Sequence, residues 1–173
     1  MKPIAILVTI YAGLLNAQNT ASTGKEQWSG LSFLEGAWDA KTLGGTSGAD
    51  ASGSYTFRQE LSGHILARHA SNAGCKGPDG FDCDHGDLLY VYRDPPGQAL
   101  KAIYFDNEGH VIHYSVSTPA PNTAVFIADA PAPGPDIRLV YELKGGVMFG
   151  KFQMRTPGKT EWTSYLEWSG GKR

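Results

Sequence analysis

Apolar and polar positions alternate along most of this chain, in short runs separated by turn residues. The run from Leu100 to Ser117 is the clearest: two strand-like segments, rich in aromatic and β-branched side chains, are hinged on Asp106, Asn107, Glu108 and Gly109. Such side chains suit a pleated, half-buried surface, and Gly109 supplies the positive φ that a short hairpin loop with a bulge needs. The same rhythm recurs at Ser54–Arg58, Ile65–His69, Asp87–Tyr92, Ala124–Ile127, Ile137–Tyr141, Val147–Met154 and Glu161–Trp168. Asp94 to Gly97, Pro119 to Asn122, Gly145-Gly146 and Pro157-Gly158 punctuate it. The pattern predicts an all-β fold, an up-and-down antiparallel β-barrel of about eight to ten strands. A two-sheet sandwich is the rival arrangement. If the barrel closes, the strand around Ala37 to Lys41 must pair with the one around Thr163 to Trp168, because only that removes both edges.

The one segment with helical spacing precedes the first strand. Trp28, Leu31 and Leu34 recur over one or two turns, and Gly36 stands where such a helix would end. Further upstream, Lys2 is followed by a mostly apolar run from Ile4 to Leu15 and then by small and polar residues. This pattern reads as a secretory signal peptide, with cleavage after Ala17 or Ala21; the other reading is a buried N-terminal helix. The run is too short to span a bilayer, which takes about 20 residues, and no later stretch is apolar enough to do so. The expected organisation is a signal and cleavage region over 1–21 and a single barrel domain over 22–173, in a protein secreted or exported to a periplasm, with no stable membrane insertion.

Charge and cysteines narrow the classes. With 15 Lys and Arg against 17 Asp and Glu and no basic run, the chain lacks the positive surface that phosphate backbones require, which argues against nucleic acid. The only two cysteines, Cys75 and Cys83, enclose seven residues. In an exported protein this spacing reads as a disulfide closing a rim loop; a metal reading would have to borrow His69, His85, Asp82 or Asp84.

Phe33-Leu34-Glu35-Gly36-Ala37-Trp38 resembles the opening of calycin-type barrels, the lipocalins, fatty-acid-binding proteins and nitrobindin-like proteins, in which a short helix leads into Gly-x-Trp. With Tyr104 to His110 and Tyr165 to Trp168, the chain is also similar to a family of exported bacterial proteins of unassigned role. The resemblance implies a lipocalin-like barrel in which Trp38 closes one end, and it brings no catalytic residues. Nitrobindin-like relatives hold haem through a His near the C-terminus, and this chain has none after His113.

Alternation assigns faces. It puts Tyr55 and Phe57 on one face; Leu88, Tyr90 and Tyr92 inside against Asp87; Ile112, Tyr114 and Val116 inside; Ile137, Leu139 and Tyr141 inside; and Trp162, Ser164, Leu166 and Trp168 inside. The expected ligand-binding set is Trp38, Tyr55, Phe57, Tyr90, Tyr92, Tyr104, Tyr114, Tyr141 and Trp162. Flat apolar faces with a few hydroxyl or indole donors suit a small hydrophobic or aromatic molecule, unless the rings fill the interior completely. His110 and His113 fall on opposite faces of a regular strand, while His69 and His85 flank the cysteine loop and would meet at the mouth. Neither a metal nor a cofactor is expected. No nucleophile elbow, triad order, paired carboxylates or phosphate loop is present. Two other readings stay open: a small barrel isomerase or hydrolase using Tyr, His and Arg at the mouth, such as Arg68 or Arg58 with Tyr90, and a module that binds through its loops.

Overall fold

The computed structural model of the 173-residue chain describes residues 27–94, 99–129 and 134–173. The expected signal region therefore lies outside the described residues. Ten antiparallel strands form one closed barrel: β1 (Gly36–Gly44), β2 (Asp50–Glu60), β3 (Ile65–Lys76), β4 (Asp87–Asp94), β5 (Ala99–Asp106), β6 (Val111–Ala120), β7 (Thr123–Ala128), β8 (Asp136–Lys144), β9 (Val147–Arg155) and β10 (Thr163–Gly171). Each strand pairs with its sequence neighbours, and β1 closes on β10 through Lys41 opposite Ser169 and Thr42 opposite Trp168. The sandwich is thereby excluded.

Two strands outrun their sequence signals. The Gly-, Ser- and Ala-rich stretch between Gly44 and Gly53 reads as a turn, yet β2 already begins at Asp50, opposite Lys76 of β3. Small side chains carry little intrinsic preference, so the pairing partner decides. A bulge between Ser52 and Gly53 bends this ribbon, and a Cβ on Gly53 would run into the Ser71 carbonyl oxygen.

Among the described residues the segment before β1 is not a continuous α-helix over Trp28 to Leu34: turns follow Gln27 and lead into a 3-10 turn at Ser32–Leu34. It still plugs one barrel end. Trp28, Leu31, Leu34 and Trp38 are all buried, the Trp28 indole donates to the Gly63 carbonyl at 2.9 Å, and the Trp38 indole donates to the Leu34 carbonyl at 2.7 Å. Above this plug, Phe57, Tyr55, Tyr141, Phe126 and Tyr114 pack edge to face or tilted, with Tyr141 at the hub, 5.4 Å from Phe57 and 5.8 Å from Trp168. Edge-to-face contacts add about 0.5–1.5 kcal/mol each beyond area burial.

At the opposite end, Cys75 and Cys83 are joined in a disulfide with a Cα separation of 5.4 Å. Cys75 lies inside β3, so the bond anchors the following loop to a strand. The loop has other ties as well. The Asn72 amide donates to the carbonyls of Cys83 and His85, and Asn107 exchanges bonds with Gly86 through both its side chain and its backbone. Reduction is therefore expected to cost no more than about 2–3 kcal/mol, the entropy scale for so short a loop, and to leave the strands in place. Circular dichroism with and without mild reductant checks this; loss of the β signal on reduction would contradict it.

Candidate functional site

The half of the barrel facing the disulfide loop is hollow. A cavity of about 480 Å³ opens there between the strands and the loop, and its lining divides by strand. Ile112, Ile137, Leu139, Phe152, Met154, Leu166 and Trp168, from β6 and β8 to β10, form an apolar wall. Arg68, Asp87, Tyr104 and Asp106, from the adjacent strands β3 to β5, form a polar one, with His85, Phe81 and Asp82 of the loop at the rim. Gly150 on β9 leaves the space that the Trp168 indole fills, since a Cβ there would run into the ring.

The nine aromatic residues expected to bind ligand separate into three groups. Tyr55, Tyr104, Tyr114 and Tyr141 line the cavity. Trp38 and Phe57 are buried in the core beneath it and are not among the lining residues. Tyr90, Tyr92 and Trp162 lie outside, which corrects the expected faces. On β4 the inward residues are Leu89 and Val91, both fully buried, and Asp87 joins them inside. Leu88 to Tyr92 is an unbroken apolar run, so alternation has nothing to choose between, and the assumption that a charge points to solvent selected the wrong face. Tyr90 instead packs edge-on against His69 and Phe105 on the outer wall. Trp162 precedes β10 and lies beneath the guanidinium groups of Arg138 and Arg155, 4.3 and 4.6 Å from its ring centre. A bulge between Ser164 and Leu166 breaks the alternation: Leu166 and Trp168 face the cavity, while Ser164 bonds Gln153.

Alternation thus missed the charged centre. Arg68 and Asp87 form a buried ion pair through Nη1 and Oδ1, with side chains only 11 % and 10 % exposed. Burial opposes the charge on Arg68, but Asp87 and the surrounding tyrosines outweigh it, so its pKa lies above the ordinary arginine value. Asp106 stands directly opposite Asp87 on the β4–β5 ladder. Its carboxylate accepts backbone N–H bonds from Glu108 and His110 and pairs with His110 Nδ1 at 2.9 Å. Burial pushes the Asp106 pKa up, but these bonds prevail and hold it below the usual carboxylate value. Two like charges can therefore sit side by side because each has its own counterweight. The sequence signal was the opposite charge of Arg68 and Asp87 on neighbouring strands.

At the rim, His85 Nε2 and the Tyr104 hydroxyl share a hydrogen bond of 2.9 Å, and Asp87 Oδ2 lies 3.7 Å from the same nitrogen. His69 does not meet His85; it bonds Glu60 at 3.0 Å on the outer wall. Arg58 is exposed and paired with Glu60, and Arg68 is on the opposite side of the wall from Tyr90. The suggested Arg–Tyr90 pairings are therefore not formed. Two overlapping sets at the mouth, Asp82 with His85 and Glu108, and Asp106 with Glu108 and His110, bring donor atoms within 4.8 Å of one another, near enough to share a cation.

Deeper in, the phenols are held protonated. Burial pushes Tyr55 up to about 12, partly offset by Arg68 and by the Trp168 indole, whose N–H approaches its hydroxyl without completing a hydrogen bond. Burial likewise raises Tyr141 and Tyr114, and it raises Tyr104 together with Asp87 and Asp106.

No protein-family model matches this chain, and no curated protein matches it by sequence. The site has therefore to be read from its own chemistry. The arrangement provides an apolar slot into whose lining β2, β3, β8 and β10 each bring a buried hydroxyl, guanidinium or indole group, under a loop pinned by a disulfide. Among the described residues no helix is long and apolar enough to cross a membrane, a statement that does not bear on strands.

Proposed function

We propose that this protein is an exported, calycin-like barrel that binds a small hydrophobic or aromatic molecule in its cavity and carries or sequesters it unchanged. The observation that supports this reading best is the cavity itself. Its volume of about 480 Å³ is in the range of small-molecule sites, and its wall is mainly aliphatic and aromatic with a few polar groups on one side. Export is supported by the apolar run behind Lys2 and by the disulfide, which persists in oxidising compartments.

The neutral fluorophore N-phenyl-1-naphthylamine tests the reading. Saturable enhancement at one site per chain is expected, together with its loss in Ala70→Trp, which fills the cavity from β3. The absence of enhancement in the native protein would refute it.

A second reading, a small barrel isomerase or hydrolase, rests on one observation: the hydrogen-bonded His85 and Tyr104 lie beside Asp87 in the cavity lining, as a proton-transfer pair would. Native mass spectrometry of protein taken from an exporting host separates the two. With the released ligand also compared by chromatography, a retained molecule that stays unchanged on incubation with the protein supports the carrier, and its conversion to a hydrolysis product or to an isomer of equal mass and different retention supports the enzyme.

A further inference from the structure

Among the described residues, four buried polar atoms have no hydrogen-bond partner: the Tyr55 and Tyr141 hydroxyls, Arg68 Nε and Trp168 Nε1. All four residues line the cavity, and each is at least nine-tenths buried. They also adjoin one another. The Arg68 guanidinium carbon lies 5.2 Å from the Tyr55 ring centre, and the Tyr141 ring lies 5.9 Å from Tyr55 and 5.8 Å from Trp168.

Donors outnumber acceptors here, four to two. A guanidinium and an indole nitrogen can only donate, and a phenol that stays protonated donates as readily as it accepts. Buried donors left unpaired are costly, and even if both hydroxyl oxygens accepted from their neighbours two donors would remain, so what the cluster lacks is a further acceptor. Charge then limits the kind of acceptor. Asp87 already neutralises Arg68, and the lining holds the carboxylates of Asp82, Asp87, Asp106 and Glu108 against only Arg68 and Lys41 as fixed cations. An anionic head group would enter a field of its own sign.

We infer that the cavity selects uncharged molecules that carry an acceptor oxygen, such as the carbonyl of an aryl ketone or a quinone, with that oxygen seated among Tyr55, Tyr141, Arg68 and Trp168 and the apolar body against Leu139, Phe152 and Leu166. The inference rests on the cavity-binding reading above and sharpens its ligand class. It separates this site from one built for fatty acids, in which an uncompensated cation would have to meet a carboxylate.

Three matched probes, displacing N-phenyl-1-naphthylamine at neutral pH, test it. They are 2-acetylnaphthalene, its hydrocarbon counterpart 2-isopropenylnaphthalene, and 2-naphthoate. A purely apolar pocket would rank the hydrocarbon first, because the ketone gives up hydrogen bonds to water on entering. The expected order is the reverse, with the ketone about tenfold or more tighter than the hydrocarbon, and the carboxylate weakest. The Tyr141→Phe and Tyr55→Phe variants add a second readout. Each removes a hydroxyl that has no protein partner, so the melting temperature of the ligand-free protein should hold or rise while the preference for the ketone shrinks several-fold. Equal affinity for ketone and hydrocarbon, naphthoate binding tightest, or an undiminished preference in the doubly substituted protein would each overturn the acceptor assignment while leaving the cavity-binding reading intact. Failure of the fluorophore itself to bind the native protein would overturn both.

Discussion

Replacing Asp87 with leucine is expected to destabilise the protein by about 3–5 kcal/mol, the cost typical of leaving one member of a buried ion pair without its partner. Arg68 cannot move out to solvent, because its side chain is held inside the barrel at 11 % exposure, and among the described residues no other carboxylate is bonded to it. Because the pair borders a cavity that water can reach, the lower half of that range is the better expectation. The double variant Arg68→Met with Asp87→Leu should recover most of the loss, since apolar side chains of similar size can replace a buried pair at little cost or even with gain. Urea denaturation of the two single variants and the double variant yields the coupling directly. A loss below about 1 kcal/mol in the single variant would mean that the guanidinium is effectively solvated.

Trp38→Ala is expected to cost about 3–5 kcal/mol through the loss of a fully packed indole from the barrel floor. Trp38→Phe should cost less, about 1–2 kcal/mol, chiefly for the bond to the Leu34 carbonyl that the indole N–H provides. Both effects belong to the plugged end. Since Trp38 is outside the cavity lining, the affinity of folded protein for N-phenyl-1-naphthylamine should stay within about twofold in Trp38→Phe. A stability loss accompanied by a comparable loss of affinity would place the floor and the cavity in one cooperative unit.

Strand number, order and closure were legible because each strand meets its chain neighbour, so local alternation and turn residues carry nearly all the information. The faces of β6 and β8 were legible for the same reason: Tyr114 stands between His113 and Ser115, and Ile137, Leu139 and Tyr141 alternate with a face marked as outward by Arg138 and Glu142. The face of β4 was not, because Leu88 to Tyr92 is apolar on both sides and its inward member at the mouth, Asp87, is tolerated there only through Arg68 on another strand. The position of Trp162 was hidden by a bulge, which adds a residue without any mark in the hydrophobic pattern. Sequence reading found four tyrosines of the cavity but not the ion pair between them, since a buried charge becomes intelligible only when its partner across the sheet is known.

The ladder that seals the barrel, Lys41 against Ser169 and Thr42 against Trp168, joins the first strand to the last, whereas the other nine pairings are between strands consecutive in the chain. During synthesis those nine hairpin contacts can form in turn as each strand emerges, at a small loop-closure cost. The tenth has to wait for β10. Until then β1 offers a free hydrogen-bonding edge, as does whichever strand was made last, and such edges invite pairing with other chains. A protein crossing a membrane as an extended chain would postpone this exposure until the far side, where its final strand arrives moments after the rest.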